Sequence, residues 1–403
     1  MSPVLQPYRD VLARPGAPAF VTAGTLARLP MSTVGIGIVL AVSQLTGSYA
    51  LAGRVSGVFV ALQALCAPQL ARLVDRHGQG RVMRPAMLLS ALGLVGVGVG
   101  AVAGWAEAWL YLAAAVGGAA IGSFSSLSRA RWSTLLRRDP TRLHSAYALE
   151  SVLDEVVFVV GPVLATFLAT AVHPTAGLVV GTVSLLVGGW AFLQQRSTEP
   201  APAPRGHDEA RRRTVLRTPA VAVVTAVFVA MGAIFGAVDV AAVAFAEEAG
   251  TPWAAGVVLA LFAVGSLLAG LVYGTRHWTR PVGQRFATGM VALGLAVCLF
   301  ALVGSLPVLG VVLFVAGLAI APTLINGNTL VQAAVPPEQL TEGLSWIGTA
   351  LGAGVALGSA LAGARIDAAG AHAGFHVVVA AGVLSVLAAV AAGPVLRRAA
   401  LVG

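Results

Sequence analysis

Twelve long apolar stretches, parted by short breaks, follow one another along almost the whole chain. A helix needs about 18 or more such residues to cross ~30 Å of hydrocarbon, where its backbone must satisfy its own hydrogen bonds. The stretches predict helices over 19–43, 49–72, 84–104, 109–128, 146–171, 176–195, 219–246, 253–274, 286–304, 307–333, 343–363 and 373–395. Charged residues make up only 10% of the chain, against about a quarter in a soluble domain, so a soluble fold is excluded. An all-α polytopic membrane protein follows, with function sought in what passes through the bilayer.

Charge sets the orientation. All 25 basic residues are Arg, and the predicted topology puts all but three of them in the breaks on one side. The exceptions are Arg365 on the opposite side and Arg28 and Arg54 within spans. A bias of this kind marks the cytoplasmic face, so both termini are expected in the cytoplasm, across a plasma (inner) membrane. The net charge of +9 is thereby an orientation signal rather than a nucleic-acid footprint. The first 18 residues lack the pattern of a cleaved signal peptide, and the first helix is expected to serve as its own insertion signal. Cys66 and Cys298 both fall in apolar stretches and read as packing residues, not a disulfide or metal pair.

The longest break, 196–218, carries Pro200, Pro202, Pro204 and Arg211 to Arg213, the composition of a flexible linker. It divides the chain into 1–195 and 219–403, six helices each. A shift of 203 residues lays Ala41 on Ala244, Gly47 on Gly250, Ala52 on Ala255, Gly53 on Gly256, Val55 on Val258 and Phe59 on Phe262. Two parallel six-helix repeats with a substrate site between them are the build of a rocking transporter.

Between the second and third stretches the chain reads Ala71-Arg72-Leu73-Val74-Asp75-Arg76-His77-Gly78-Gln79-Gly80-Arg81. This resembles the signature of the major facilitator superfamily, Gly-x-x-x-Asp-Arg-x-Gly-x-x-Arg, with Ala71 in place of the first glycine. Gly78 suits a sharp turn, while Asp75, Arg76 and Arg81 suit a cytoplasmic latch between the halves. In the matching loop of the second half, Trp278 stands where Asp75 would map. Gly161-Pro162 in the fifth helix is similar to the hinge element of proton-coupled exporters, and the chain resembles the 12-helix drug–proton antiporter group. It departs from that group in having no Arg in the middle of helix four and no acidic residue in helix one. The resemblance implies two pseudo-symmetric six-helix bundles that alternate access.

Ionisable groups within spans mark pathways or relays by default. Asp239 lies eight residues from Glu247, hence ~12 Å deep in helix seven. It is the leading proton-coupling candidate, the alternative being an ion pair with Arg28 or Arg54. Asp154 and Glu155, with Glu150 and the nearby Arg129 and Arg131, read first as an inner gate network and second as coupling candidates. Arg28, close to helix-bending Pro30, is a candidate for an anionic substrate or a carboxylate, and Arg54 for an outer-gate pair. Gln63, Asn326, Asn328 and Trp346 are candidates to line a cavity, whereas Ser123, Ser125 and Ser126 read first as interhelix hydrogen-bond packing.

The expected function is proton-coupled export of small amphipathic molecules, the alternative being uptake of a small, possibly anionic, metabolite held by Arg28. An intramembrane enzyme would need a clustered nucleophile, metal site or acid–base pair, and the seven scattered His residues offer none. No cofactor or metal is expected. The expected partners are a small-molecule substrate, protons and the lipid bilayer, with the chain acting as a monomer and binding no nucleic acid.

Overall fold

A computed structural model of the chain describes residues 6–202, 218–275, 278–335 and 340–391. The linker arginines Arg205, Arg211, Arg212, Arg213 and Arg217, together with Arg276, Arg397 and Arg398, lie outside the described residues. Twelve helices are long and apolar enough to cross a bilayer, and no strand occurs among the described residues. They are α1 (Ala17–Thr46), α2 (Tyr49–His77), α3 (Gln79–Ala103), α4 (Glu107–Leu135), α5 (Pro140–Ala171) and α6 (Ala176–Gln194). The second six are α7 (Pro219–Glu248), α8 (Ala254–Thr275), α9 (Val282–Leu302), α10 (Leu306–Val331), α11 (Leu340–Ala369) and α12 (Ala371–Ala391). Large apolar side chains such as Leu92, Leu112, Val183, Leu295 and Leu387 stand exposed around the outside, as a lipid-facing surface requires.

Three helices depart from the continuous rods predicted. Helix α1 is interrupted at Leu29, because Pro30 has no N–H and cannot continue the ladder to Leu26; Leu29 bonds the Leu26 carbonyl instead, at 3.2 Å. Helix α4 breaks between Ala120 and Phe124, where Gly122 takes a φ of +65° and Ser123 caps the second segment. Helix α10 breaks at the equivalent level, between Gly317 and Ile320. Helix α5 starts earlier than its apolar stretch, at Pro140, because Asp139 accepts from the Arg142 N–H at 3.1 Å and caps it.

The duplication read in the sequence reappears in the packing. Gly47 and Gly250 both end their helix-to-helix turns at a φ of +71°. Gly118 of α4 presses on the Phe59 carbonyl of α2, and Gly317 of α10 presses on the Phe262 carbonyl of α8. Gly53 meets the Ser359 carbonyl on α11, and its counterpart Gly256 meets the Pro162 carbonyl on α5. Gly118, Gly317, Gly53 and Gly256 each let two backbones approach where a methyl group would collide.

Two helix pairs therefore join the halves, α2 with α11 and α5 with α8. Gly57 packs on Ala356, Gly363 on Tyr49 and Ala50, and Gly256 on Pro162, Val163 and Thr166. These contacts lie toward the arginine-poor side, where α2 and α8 begin and α5 and α11 end. The halves are closed together on that side.

Candidate functional site

The strongest polar cluster of the first half forms where the break in α1 turns Arg28 toward α5. Arg28 is almost wholly buried and donates to both Glu150 and Asp154, through Nη2 to Glu150 Oε2 and through Nη1 to Asp154 Oδ1 at 3.0 Å. Glu150 is fully buried, and its other oxygen accepts from Trp132 Nε1 at 2.6 Å. The second oxygen of Asp154 accepts from Arg129 at 2.9 Å and from Ser125 at 2.8 Å, while Arg129 also donates to Ser125. Two arginines and two carboxylates thus neutralise one another across α1, α4 and α5. Buried charges demand such pairing.

This arrangement corrects several expectations. Arg28 does not line an open cavity: its side chain is 1% exposed and saturated with carboxylates, apart from its unpartnered Nε. Every partner of Glu150 and Arg129 just described belongs to α1, α4 or α5. Ser125 makes an interhelix hydrogen bond, to Asp154 on α5. Arg54 does not reach the other half. Its Nε donates to Tyr111 at 2.7 Å and its Nη2 pairs with Glu107 at 3.3 Å, both one helix away on α4.

Asp239 behaves differently. It sits one turn beyond Phe235, which packs edge-on against Phe262 of α8 with ring centroids 5.9 Å apart. Its side chain is partly buried and has no hydrogen-bond or ion-pair partner among the described residues, so the pair expected with Arg28 or Arg54 is not made. Glu155 is likewise partly buried and unpartnered among the described residues. The helical repeat places it on the same face of α5 as Pro162 and Thr166, which with Val163 meet Gly256 of α8. Gly161 lies where α5 crosses Ser32 of α1, and Ser32 Oγ donates to the Val157 carbonyl at 2.8 Å. Helix α5 runs unbroken through Pro162.

The remaining cavity candidates divide. Asn326 is buried, accepts from Tyr273 Oη at 2.8 Å and donates to the Pro322 carbonyl at 2.7 Å, which takes it out of any cavity lining. Arg285 donates to the same tyrosine at 3.0 Å, and Trp278 stacks on it. Asn328, Gln63 and Trp346 are partly buried without a partner among the described residues. Gln63 adjoins Ala64, whose carbonyl accepts from Thr349, one turn beyond Trp346.

The signature loop is bound to the segment that follows α6. Gly78 turns at a φ of +92°, and the next peptide but one, Gly80 N–H, donates to Glu199 at 2.8 Å. Arg131, fully buried, holds Gln79, the Gln195 carbonyl and Thr198, and its guanidinium lies 3.8 Å over the Phe192 ring. Asp75 is exposed without an ion pair among the described residues, whereas Arg81 lines a surface cavity of about 520 Å³ with His77, Arg84 and Arg196.

The twelve spans, the duplicated packing and the signature loop meet one more observation: residues 20–286 match the family model described as Major Facilitator Superfamily. The chain belongs to that superfamily. Among solved structures, this superfamily member is similar to the nucleoside transporter NupG, with a TM-score of 0.70 at 14% identity over 94% of this chain and 98% of that one. A bacterial homolog to the human lysosomal transporter Spinster, inward-facing and occupied, gives 0.69 at 17% identity over 98% of both chains. The human organic anion transporter MFSD10 (TETRAN) gives 0.61 at 18% identity over 93% and 100%. At such identities the likeness is one of fold. No curated protein sequence matches the chain. The protein is a multi-pass membrane transporter of the major facilitator type, not an enzyme.

Proposed function

We propose that this transporter couples proton entry to the export of small amphipathic molecules across a plasma membrane, with its arginine-rich side in the cytoplasm. The halves, 1–195 and 219–403, act as bodies that rock about a central site within a single chain. The observation that carries the reading is Asp239, an intramembrane carboxylate with no fixed counter-ion among the described residues. Such a group can pair with a proton or with a cationic end of a substrate, and one partner displaces the other. That exclusion is the minimum an antiporter needs.

The four charges around Arg28 serve a different purpose in this scheme. They neutralise one another and fix α1, α4 and α5 as one body, which leaves Asp239 and Glu155 as the groups free to exchange. Because Arg28 is already occupied by two carboxylates, uptake of an anion held by Arg28 is the weaker reading. Gln63, Asn328 and Trp346 supply the polar and aromatic contacts a mixed-polarity substrate requires.

The test is proton movement in inverted vesicles containing the protein, energised by respiration and read with a pH-sensitive dye. Cationic, neutral and anionic compounds are added in turn. Dye recovery with a cationic or neutral amphipathic compound, lost in Asp239→Asn at equal membrane insertion, is the expected result. Full recovery in Asp239→Asn would remove Asp239 from the mechanism, and recovery with anions alone would reverse the substrate class.

A further inference from the structure

Both ends of the α2–α11 pair carry a carboxylate two residues before a helix terminus, Asp75 on α2 and Asp367 on α11. The helices run antiparallel, so Asp367 stands beside the first turn of α2, on the arginine-poor side. It is engaged there. One carboxylate oxygen accepts from the Tyr49 N–H at 2.8 Å, and the other accepts from the Ala50 N–H and from Ser48 Oγ, both at 2.8 Å. These are the N–H groups that a helix start leaves without partners. Ser48 caps α2 locally through Leu51, and Asp367 completes the cap from the opposite half of the molecule.

Two neighbours support the same junction. Tyr49 Oη donates to Glu247 at the end of α7, so one residue is bound to the second half through both its backbone and its side chain. Gly363, one turn before Asp367, packs on the Tyr49 carbonyl so closely that a Cβ would collide with it, and this approach brings Asp367 within reach.

We infer that Asp367 is the gate residue on the arginine-poor side: it holds the halves shut by capping α2 across their boundary, and the halves part there when the cap is lost. A rocking movement that opens this side must break all three bonds together, because they converge on one carboxylate. The cap is therefore a cooperative lock, whereas Arg54, bonded to α4 of its own half, moves with α2 and resists nothing. The inference rests on the rocking movement proposed above, but not on its direction or its coupling ion.

The experiment measures the distance between spin labels on the two exposed loops of that side, at Ala106→Cys and Ser305→Cys, in full-length protein with Cys66→Ala and Cys298→Ala. Asp367→Ala is expected to raise the ratio of long to short distances about fivefold or more, the scale of a lost helix cap. Asp367→Asn, which keeps one acceptor oxygen, is expected to fall between. Glu248→Gln is the control for surface charge, because Glu248 caps the Ala371 N–H at 2.7 Å within the second half and should leave the ratio unchanged. Gly363→Leu is the steric control that forces α2 from α11. An unchanged ratio in Asp367→Ala beside a widened one in Gly363→Leu would overturn the cap. An equal shift in Glu248→Gln would overturn it in favour of general charge. Short distances in every sample, Gly363→Leu included, would overturn it together with the rocking movement.

Discussion

Removing Glu150 tests whether the buried network is a balanced unit. Arg28, Arg129, Glu150 and Asp154 carry two charges of each sign, and Glu150→Leu leaves an excess positive charge at Arg28, whose side chain is 1% exposed. Breaking a buried pair by removing one partner costs roughly 3–5 kcal/mol, since the other charge stays buried and uncompensated. Arg28→Met leaves the opposite excess at Glu150 and is expected to cost a similar amount. The double variant restores neutrality: Asp154 keeps Arg129 and Ser125, and what remains is the orphaned Trp132 Nε1 donor, worth about 1–3 kcal/mol. The two single losses would sum to roughly 6–10 kcal/mol by the same figures, so the double variant should be several kcal/mol more stable than additivity allows. Equilibrium unfolding in mixed micelles titrated with SDS, followed by tryptophan fluorescence, reads all three. Single losses under about 1 kcal/mol, or a double loss equal to their sum, would refute the charge-balance account.

Other outcomes follow from the same geometry. Asp239→Asn should leave unfolding within about 0.5 kcal/mol of the parent, because the carboxylate has no partner among the described residues to lose; the vesicle assay, not the stability assay, should register it. Gly118→Ala and Gly317→Ala each drive a methyl group into a carbonyl on the neighbouring helix and should cost about 1–3 kcal/mol by unfolding, whereas Gly35→Ala, with nothing within 4 Å, should cost little. Arg131→Lys gives up the planar fork that reaches Gln79, Gln195 and Thr198 together. It should lower thermal stability and expose the 196–202 segment to proteolysis, and an unchanged cleavage pattern would count against that clamp.

The spans and their number were legible because they are carried by local composition, and some glycines that the 203-residue shift pairs hold matching places. Gly47 and Gly250 share a left-handed turn, and Gly53 and Gly256 share a close approach. The breaks in α4 and α10 were not legible, since Gly122 is one glycine among 48 and nothing in the sequence marks it from the rest. Charged residues in spans announced themselves, but their partners did not. Glu150 and Asp154 are four apart and predictably share a face, yet that Arg28 meets them depends on the bend at Leu29. What Arg54 meets is equally hidden in the sequence. Glu107 and Tyr111, also four apart, form a fork on α4 that only the packing of α2 on α4 brings to it. Asp367 gives no sign of its partners in the sequence, because it lies at a helix end, where a charge is ordinarily solvated.

The repeats share a scaffold and divide the chemistry. The offset that lays Gly53 on Gly256 lays Arg28 on Met231 and Asp239 on Ile36, and both apolar counterparts are buried. Each half therefore keeps one intramembrane charge in its first helix, at a different level and of opposite sign. In the first half the charge is cancelled and serves rigidity; in the second it is left without a partner among the described residues. A symmetric scaffold with symmetric charges would present two equivalent carboxylates at its centre. Here α7 presents one, and the two coupling candidates that remain, Asp239 and Glu155, belong to opposite halves. A rocking movement changes the distance between residues of opposite halves while leaving distances within a half alone. Proton exchange at such a pair can thus sense the movement. Asp154 is bound to Arg28 and Arg129 inside one half, which is the physical ground for separating it from Glu155 one residue away in the proposed scheme.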